Sequence, residues 1–504
     1  MRSPDTSRRV STITTTAVLS VLILLPIVAA IALLLGAPAR KTAVIAAAAH
    51  FALALVALLS YDRATGGFQF LGSSVLVPEW DLKYLVAADG LSLVMLFLTA
   101  LVTLAAVWVT PKIERRENLF YACLLFITAG ATGAFASQDL FFFYAFHELA
   151  LIPTFLLIGL WGSGDRHAAA WKITIYLALG SFILLIGLVD LYHSVPEGRR
   201  TFDMIKLAAT ADLIPSAAQA RPYLLLLLGF GILISLFPFH SWAPQAYASA
   251  PTAAAMLHAG VLKKFGLYGL IRLALPLLPD GAQRYAGLLL VLLVGNIIYI
   301  GLVTIAQKRL DLMLGYSSVM HMGYIFLGIG ALNVVGVSGA ALLMLAHGLS
   351  IAALFAIAGQ LRARVDSLAF EEMGGLAKSL PFLSLAFGLA AFASIGLPGF
   401  ANFASELMIF FGAFKPAVND ALAGQYKVAV GFALWGVVIS AVYMLRAYRA
   451  IFWGEPRQET PALTDPVFTR RLPIALLIGA LLIGGFLPRS FLAFIQPSVE
   501  ALLR

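Results

Sequence analysis

Residues 223–244 read YLLLLLGFGILISLFPFHSWAP, and residues 383–402 read LSLAFGLAAFASIGLPGFAN. Each stretch opens as an apolar helix and runs into proline: Pro238, Pro244 and then Pro251 in the first, Gly396-Leu397-Pro398-Gly399 in the second. Proline lacks a backbone donor and clashes with the preceding turn, so each helix should unwind there. Unwound backbone at membrane depth survives only inside protein or beside a water-filled cavity. A matched pair of interrupted spans is the sequence signature of inverted repeats in a transporter, with two ordinary proline kinks as the simpler reading.

The rest of the chain agrees with a membrane setting. Of its 504 residues 61% are hydrophobic and 12% charged, and the mean hydropathy is +0.93, too little charge to cover the surface of a soluble protein. A bilayer core of roughly 30 Å needs about 20 apolar residues per helix. Such runs recur about fourteen times, centred near residues 25, 51, 100, 128, 149, 179, 231, 264, 295, 322, 348, 392 (continuing to 412), 438 and 482. The expected fold is all-α and polytopic, one membrane domain throughout. Residues 1–110 hold helices 1–3, 119–275 a first five-helix repeat (helices 4–8), 284–452 a second (helices 9–13), and 470–495 helix 14. Helices 7 and 12 are the broken ones. The apolar run from Ile13 to Gly36 is too long for a signal-peptide core and reads as an uncleaved first span.

The net charge of +9 does not point to nucleic acid. Arg40-Lys41, Lys112, Arg115-Arg116 and Lys308-Arg309 sit in short connections between apolar runs, the pattern of topology-setting charge. Together with Arg166, Arg362, Arg364, Lys378, Arg457, Arg470 and Arg471 they put the odd-numbered connections in the cytoplasm and both termini outside it, whereas Arg2, Arg8 and Arg9 argue the other way. Cys123 is the only cysteine, which excludes intrachain disulfides and cysteine-ligated clusters.

Ionisable groups inside spans cost about 2.5–3.5 kcal/mol each to insert, so each needs a reason. Glu148 lies about 12 Å into its span, at roughly 1.5 Å per residue, and Pro153 frees a carbonyl nearby. Groups held there exchange protons readily, although a neutral glutamic acid could simply join two helices. Lys263 and Lys264 are adjacent near the middle of their span; they point about 100° apart, so at most one should face the interior. Lys172 is near the start of its span, where snorkelling to the surface competes. His258, His321 and His347 look like a relay, because neutral imidazole both donates and accepts a proton. A metal site is the weaker reading, since the three lie on different helices with no carboxylate at ligand spacing. Glu406, just past the second break, would be the far end of the path. The chain holds no phosphate-cradling loop, no dinucleotide motif and no haem pair, so energy must come from partners.

Several motifs resemble those of the antiporter-like subunits of respiratory NADH–quinone oxidoreductase (complex I). They are Phe141-Phe-Phe-Tyr-Ala-Phe-His-Glu148-Leu-Ala-Leu-Ile-Pro153 running to Trp161-Gly162, Pro238-Phe-His240-Ser-Trp242-Ala-Pro244, Ala250-Pro251-Thr252, Ala259-Gly260-Val-Leu-Lys-Lys264-Phe-Gly-Leu-Tyr-Gly269, Tyr316-Ser-Ser-Val-Met-His321-Met-Gly323, His347-Gly-Leu-Ser350 and Gly396-Leu-Pro-Gly399. The resemblance covers most of the chain. It implies Glu148 as the helix-five glutamate, Lys172 and Lys264 as the helix-six and helix-eight lysines, and His321 and His347 as relay histidines. It also implies proton translocation driven by quinone reduction in neighbouring subunits, in a bacterial inner membrane. No cofactor is expected in this chain; NADH, FMN, iron–sulfur clusters and quinone belong to partner subunits, among them chains of the L and N types. Glu406 after the break, and the absence of a long lateral helix, fit the M type best. Multi-subunit sodium/proton antiporters and hydrogenase-linked pumps share these motifs and are the alternatives.

Two departures stand out. The family carries a lysine on helix 7 a few residues before its proline, and alignment on Pro238-Phe-His240 puts Leu233 there. Lys263 or Lys172 would have to replace it. The Lys-Arg pair usual just before Tyr-Ser-Ser is also displaced, with Asp311 and Leu312 near those places.

Overall fold

The computed structural model describes residues 6–455 and 463–503; Arg2 and Arg457, counted above among the topology-setting charges, lie outside them. Twelve helices among the described residues are long and apolar enough to cross a membrane. Two further segments of the expected fourteen fall outside that count. Residues 252–277 alternate between α and π turns, with π segments at His258–Leu262 and Leu270–Ala274. The second is split into Pro381–Ile395 and Ala401–Phe414, each short on its own.

Both proline-marked helices break where the sequence says, and they end in the same way. Ser216–Ile234 stops at Ser235, left-handed with φ 70°, whose N–H bonds the Ile232 carbonyl while Leu236 N–H reaches back to Gly231. Pro381–Ile395 stops at Gly396, left-handed with φ 81°, with the matching bonds Gly396 to Ala393 and Leu397 to Phe392. Both are Schellman caps, which satisfy carbonyls that would otherwise be orphaned. Past the first break the chain passes a cis Phe237–Pro238 bond and resumes as Trp242–Ser249.

The opened backbone is paired by neighbours, as a water-free setting requires. Asn296 accepts from Phe237 N–H at 2.6 Å and donates to the Ser235 and Val319 carbonyls. It sits in the π segment Gly295–Tyr299, within the Pro279–Ala306 span. At the second break, His321 Nε2 is 2.8 Å from the Ser394 carbonyl.

Helix 14, expected over 470–495, ends at Phe486; after Leu487-Pro488 a separate helix Arg489–Leu502 follows. Glycine at position 90 admits it, since a Cβ there would collide with the Phe494 carbonyl. A β-hairpin, Gln69–Val77 paired antiparallel with Leu82–Ala88, occupies the second connection, and Val86 bridges to Ser137. Asp81 joins Lys83 at 2.6 Å and Lys206 at 3.2 Å, tying the hairpin to the connection before residue 216.

Candidate functional site

The eighth helix is enclosed almost all round, and Lys263 and Lys264 are 1% and 0% exposed. The expectation that only one of them faces the interior is therefore corrected: protein surrounds both sides of this helix. A glycine pair makes the closest approach. A Cβ on Gly348 would lie 2.7 Å from the Gly260 carbonyl, and one on Gly260 3.0 Å from that of Gly348. Small residues let two helix backbones meet, and the residue before Gly348 is His347.

Lys264 Nζ lies 3.0 Å from His347 Nδ1 and donates to the Ala259 carbonyl at 2.7 Å, inside the π turn. Single π turns commonly accompany functional sites. The His347 and His321 rings are 5.4 Å apart, centre to centre. His321 sits between two carbonyls, with Nδ1 and Nε2 each 2.8 Å from one, of Ser317 and of Ser394. Neutral imidazole has one N–H and can satisfy only one of them; the charged ring donates to both. Ser394 is in the last turn before the break, and Glu406, 4% exposed, packs its carboxylate against Gly396. Lys264, His347, His321 and the break beside Glu406 thus form one buried row linking helices 8, 11, 10 and 12.

The other expected residues are placed around this row. Lys263 Nζ has no hydrogen-bond partner and lies 5.4 Å from the centre of the Tyr247 ring. His258 Nδ1 is 3.3 Å from the Tyr247 hydroxyl. Glu148 is half-buried on the Leu140–Trp161 span, where it accepts from Ser181; Tyr144 is 3.2 Å from the same hydroxyl. Lys172 donates to Gln245 at 2.9 Å, away from Glu148. Leu233 lies 4% exposed, and no lysine pairs with Glu148 among the described residues.

Sequence reasoning passed over three groups. His147, next to Glu148, stacks on Phe265 with ring centres 4.1 Å apart, and its Nδ1 is buried without a partner. Asn296 holds the first break. Arg272 and Asp89 form a buried bidentate pair at 2.6 and 2.8 Å, joined by Ser92 and Tyr268. Among the described residues no group of three or more His, Cys, Asp or Glu is placed to hold a metal ion.

A relative from Thermosynechococcus vestitus, named NAD(P)H-quinone oxidoreductase chain 4 2, is 39% identical over 445 residues, covering 87% of this chain and 82% of its own. A chain from the structure of respiratory complex I from Thermus thermophilus with bound NADH superposes with a TM-score of 0.87 at 29% identity, covering 96% of this chain and all of that one. A chain of the Mrp complex from Dietzia sp. shares the fold, with a TM-score of 0.84 at 22% identity, covering 97% of this chain and all of that one. Residues 137–424, which include both broken helices and the whole buried row, match the family described as NADH:quinone oxidoreductase/Mrp antiporter, TM, and the chain belongs to that family.

Proposed function

We propose that this chain is a proton-translocating subunit in the membrane arm of an NAD(P)H–quinone oxidoreductase, of the M type. The observation that carries the reading is the continuous buried contact from Lys264 through His347 to His321 and the second break. Such a row moves protons when an outside event changes the order in which its members hold them, which suits a pump that has no reaction of its own. Glu148 is the entry group on the half-buried flank, and Glu406 the far end. Lys263, His258 and Lys172 stand beside the row.

In this reading NADH, FMN, iron–sulfur clusters and quinone sit in partner subunits, and chains of the L and N types are neighbours in the arm. The matching caps at Ser235 and Gly396 support a division into two inverted five-helix repeats within about fourteen spans. The basic odd-numbered connections support a location in the bacterial inner membrane with both termini outside the cytoplasm, against the charge of Arg2, Arg8 and Arg9.

The test is direct. Tag the chain, extract it in mild detergent and assay the assembly for NADH-dependent quinone reduction, then measure protons taken up per electron in inverted vesicles. Co-purifying activity, and a lower ratio in Glu148→Gln, are the expected results. An assembly with no redox activity and with sodium-dependent proton exchange would replace this reading with an antiporter subunit.

A further inference from the structure

Leu233 leaves a gap where the family motif carries a charged side chain. A small cavity of about 10 Å³ remains there, lined by Leu233, His147, His258, Thr154, Leu177 and Leu262. That is about the space of one water molecule, and water occupies such a space only when polar groups line it. Two imidazoles do. His147 Nδ1 is buried with no partner, and His258, whose Nδ1 is 3.3 Å from the Tyr247 hydroxyl, lines the same cavity.

Consecutive positions on one helix are about 100° apart. Glu148 therefore faces Ser181 and the outer flank, while His147 faces the eighth helix, where Phe265 fixes its ring. The two neighbours present titratable groups on different sides of the same helix, and the eighth helix answers with His258 in its π turn.

We propose that His147 and His258 hold one water between them across this cavity, and that this imidazole–water–imidazole bridge is the proton link between helices 5 and 8 in place of a lysine at Leu233. The transfer breaks an N–H on His147 and forms one on His258; the water accepts one proton as it gives up another and is unchanged. The proposal rests on the proton-pumping reading above. His147 and His258 are then proton carriers, and Lys263, 5.4 Å from the ring centre of the tyrosine that bonds His258, is the next charge along.

The experiment compares protons per electron in inverted vesicles holding the intact assembly, for the unaltered chain and for Glu148→Gln, His147→Gln and Leu233→Met. Methionine is longer than leucine, unbranched and fills irregular gaps, so Leu233→Met reaches into the cavity and displaces the water while both histidines stay in place. His147→Gln and Leu233→Met are each expected to lower the ratio to the level of Glu148→Gln. If Glu148→Gln lowers the ratio while Leu233→Met keeps the unaltered value, the bridge is refuted and the pumping reading stands. If Glu148→Gln changes nothing, it is the pumping role of Glu148 that fails. Should His147→Gln not assemble, Leu233→Met decides the bridge alone.

Discussion

Lys264 Nζ sits 3.0 Å from His347 Nδ1, and its other contact is a backbone carbonyl, not a carboxylate. An amine and an imidazole at that distance share one hydrogen bond most easily when only one of them carries the mobile proton. Their contact is an exchange point rather than an ion pair.

Replacing Lys264 with Met keeps the length of the side chain and removes the proton carrier. The change also leaves His347 Nδ1 without its partner, and a buried polar group left unsatisfied costs about 1–3 kcal/mol. The variant should therefore assemble with a modestly lower melting temperature while protons taken up per electron fall well below the unaltered ratio. An unchanged ratio would remove Lys264 from the path.

Lys263 is the complementary case, because its ammonium has an aromatic face nearby and no hydrogen-bond partner. A buried polar group without a partner costs about 1–3 kcal/mol. Lys263→Met should therefore raise the unfolding free energy by about that much, read from thermal denaturation of the purified assembly. The same variant should lower pumping. Gained stability with intact pumping would separate Lys263 from the path.

Asp139 lies in the connection before the Leu140–Trp161 span, where it caps that helix through Phe141 and Phe142. Burial pushes its carboxyl up to about 6, with Asp203 adding to the shift and the backbone N–H donors opposing it. The folded chain thus binds this proton more tightly than the unfolded chain does, whose carboxyl titrates near 3.9. Stability from this group is full below about pH 4, declines as the pH rises to about 6, and is lost above that. The difference is at most about 3 kcal/mol, less as solvent screens it. Asp139→Asn preserves the cap. Its melting temperature should exceed that of the unaltered chain above pH 6 and match it below pH 4; a constant offset across that range would refute the assignment.

What could be read in the sequence was what a single residue type decides. Pro238 and Gly396-Leu-Pro-Gly399 announced both breaks, because proline and glycine act locally whatever surrounds them. Lys264, His321 and His347 stood out because charge is rare in apolar runs. The partners could not be read, since they depend on which helices touch. Lys172 bonds Gln245 because the chain after the first break folds back beside it, and both Lys263 and Lys264 are buried because helix 8 is central. Asp89 and Arg272, 183 residues apart, pair only in three dimensions. His147 had a visible signal, a second titratable group beside Glu148, but its direction toward helix 8 depends on the packing of Phe265.

Gly396 has φ 81°, a conformation that costs other residues about 1–2 kcal/mol, and a Cβ there would also collide with the Glu406 carboxylate. The carboxylate has little room to retreat, because Glu406 is 4% exposed. Gly396→Ala should therefore destabilise the assembly by more than the backbone cost alone. Shortening the glutamate should recover the excess and leave the backbone part. A double-mutant cycle with Glu406→Ala, read by thermal denaturation, should give a coupling of about 0.5–3 kcal/mol. Strict additivity would mean that the glycine serves the backbone only, and that Glu406 is free to move away from the break.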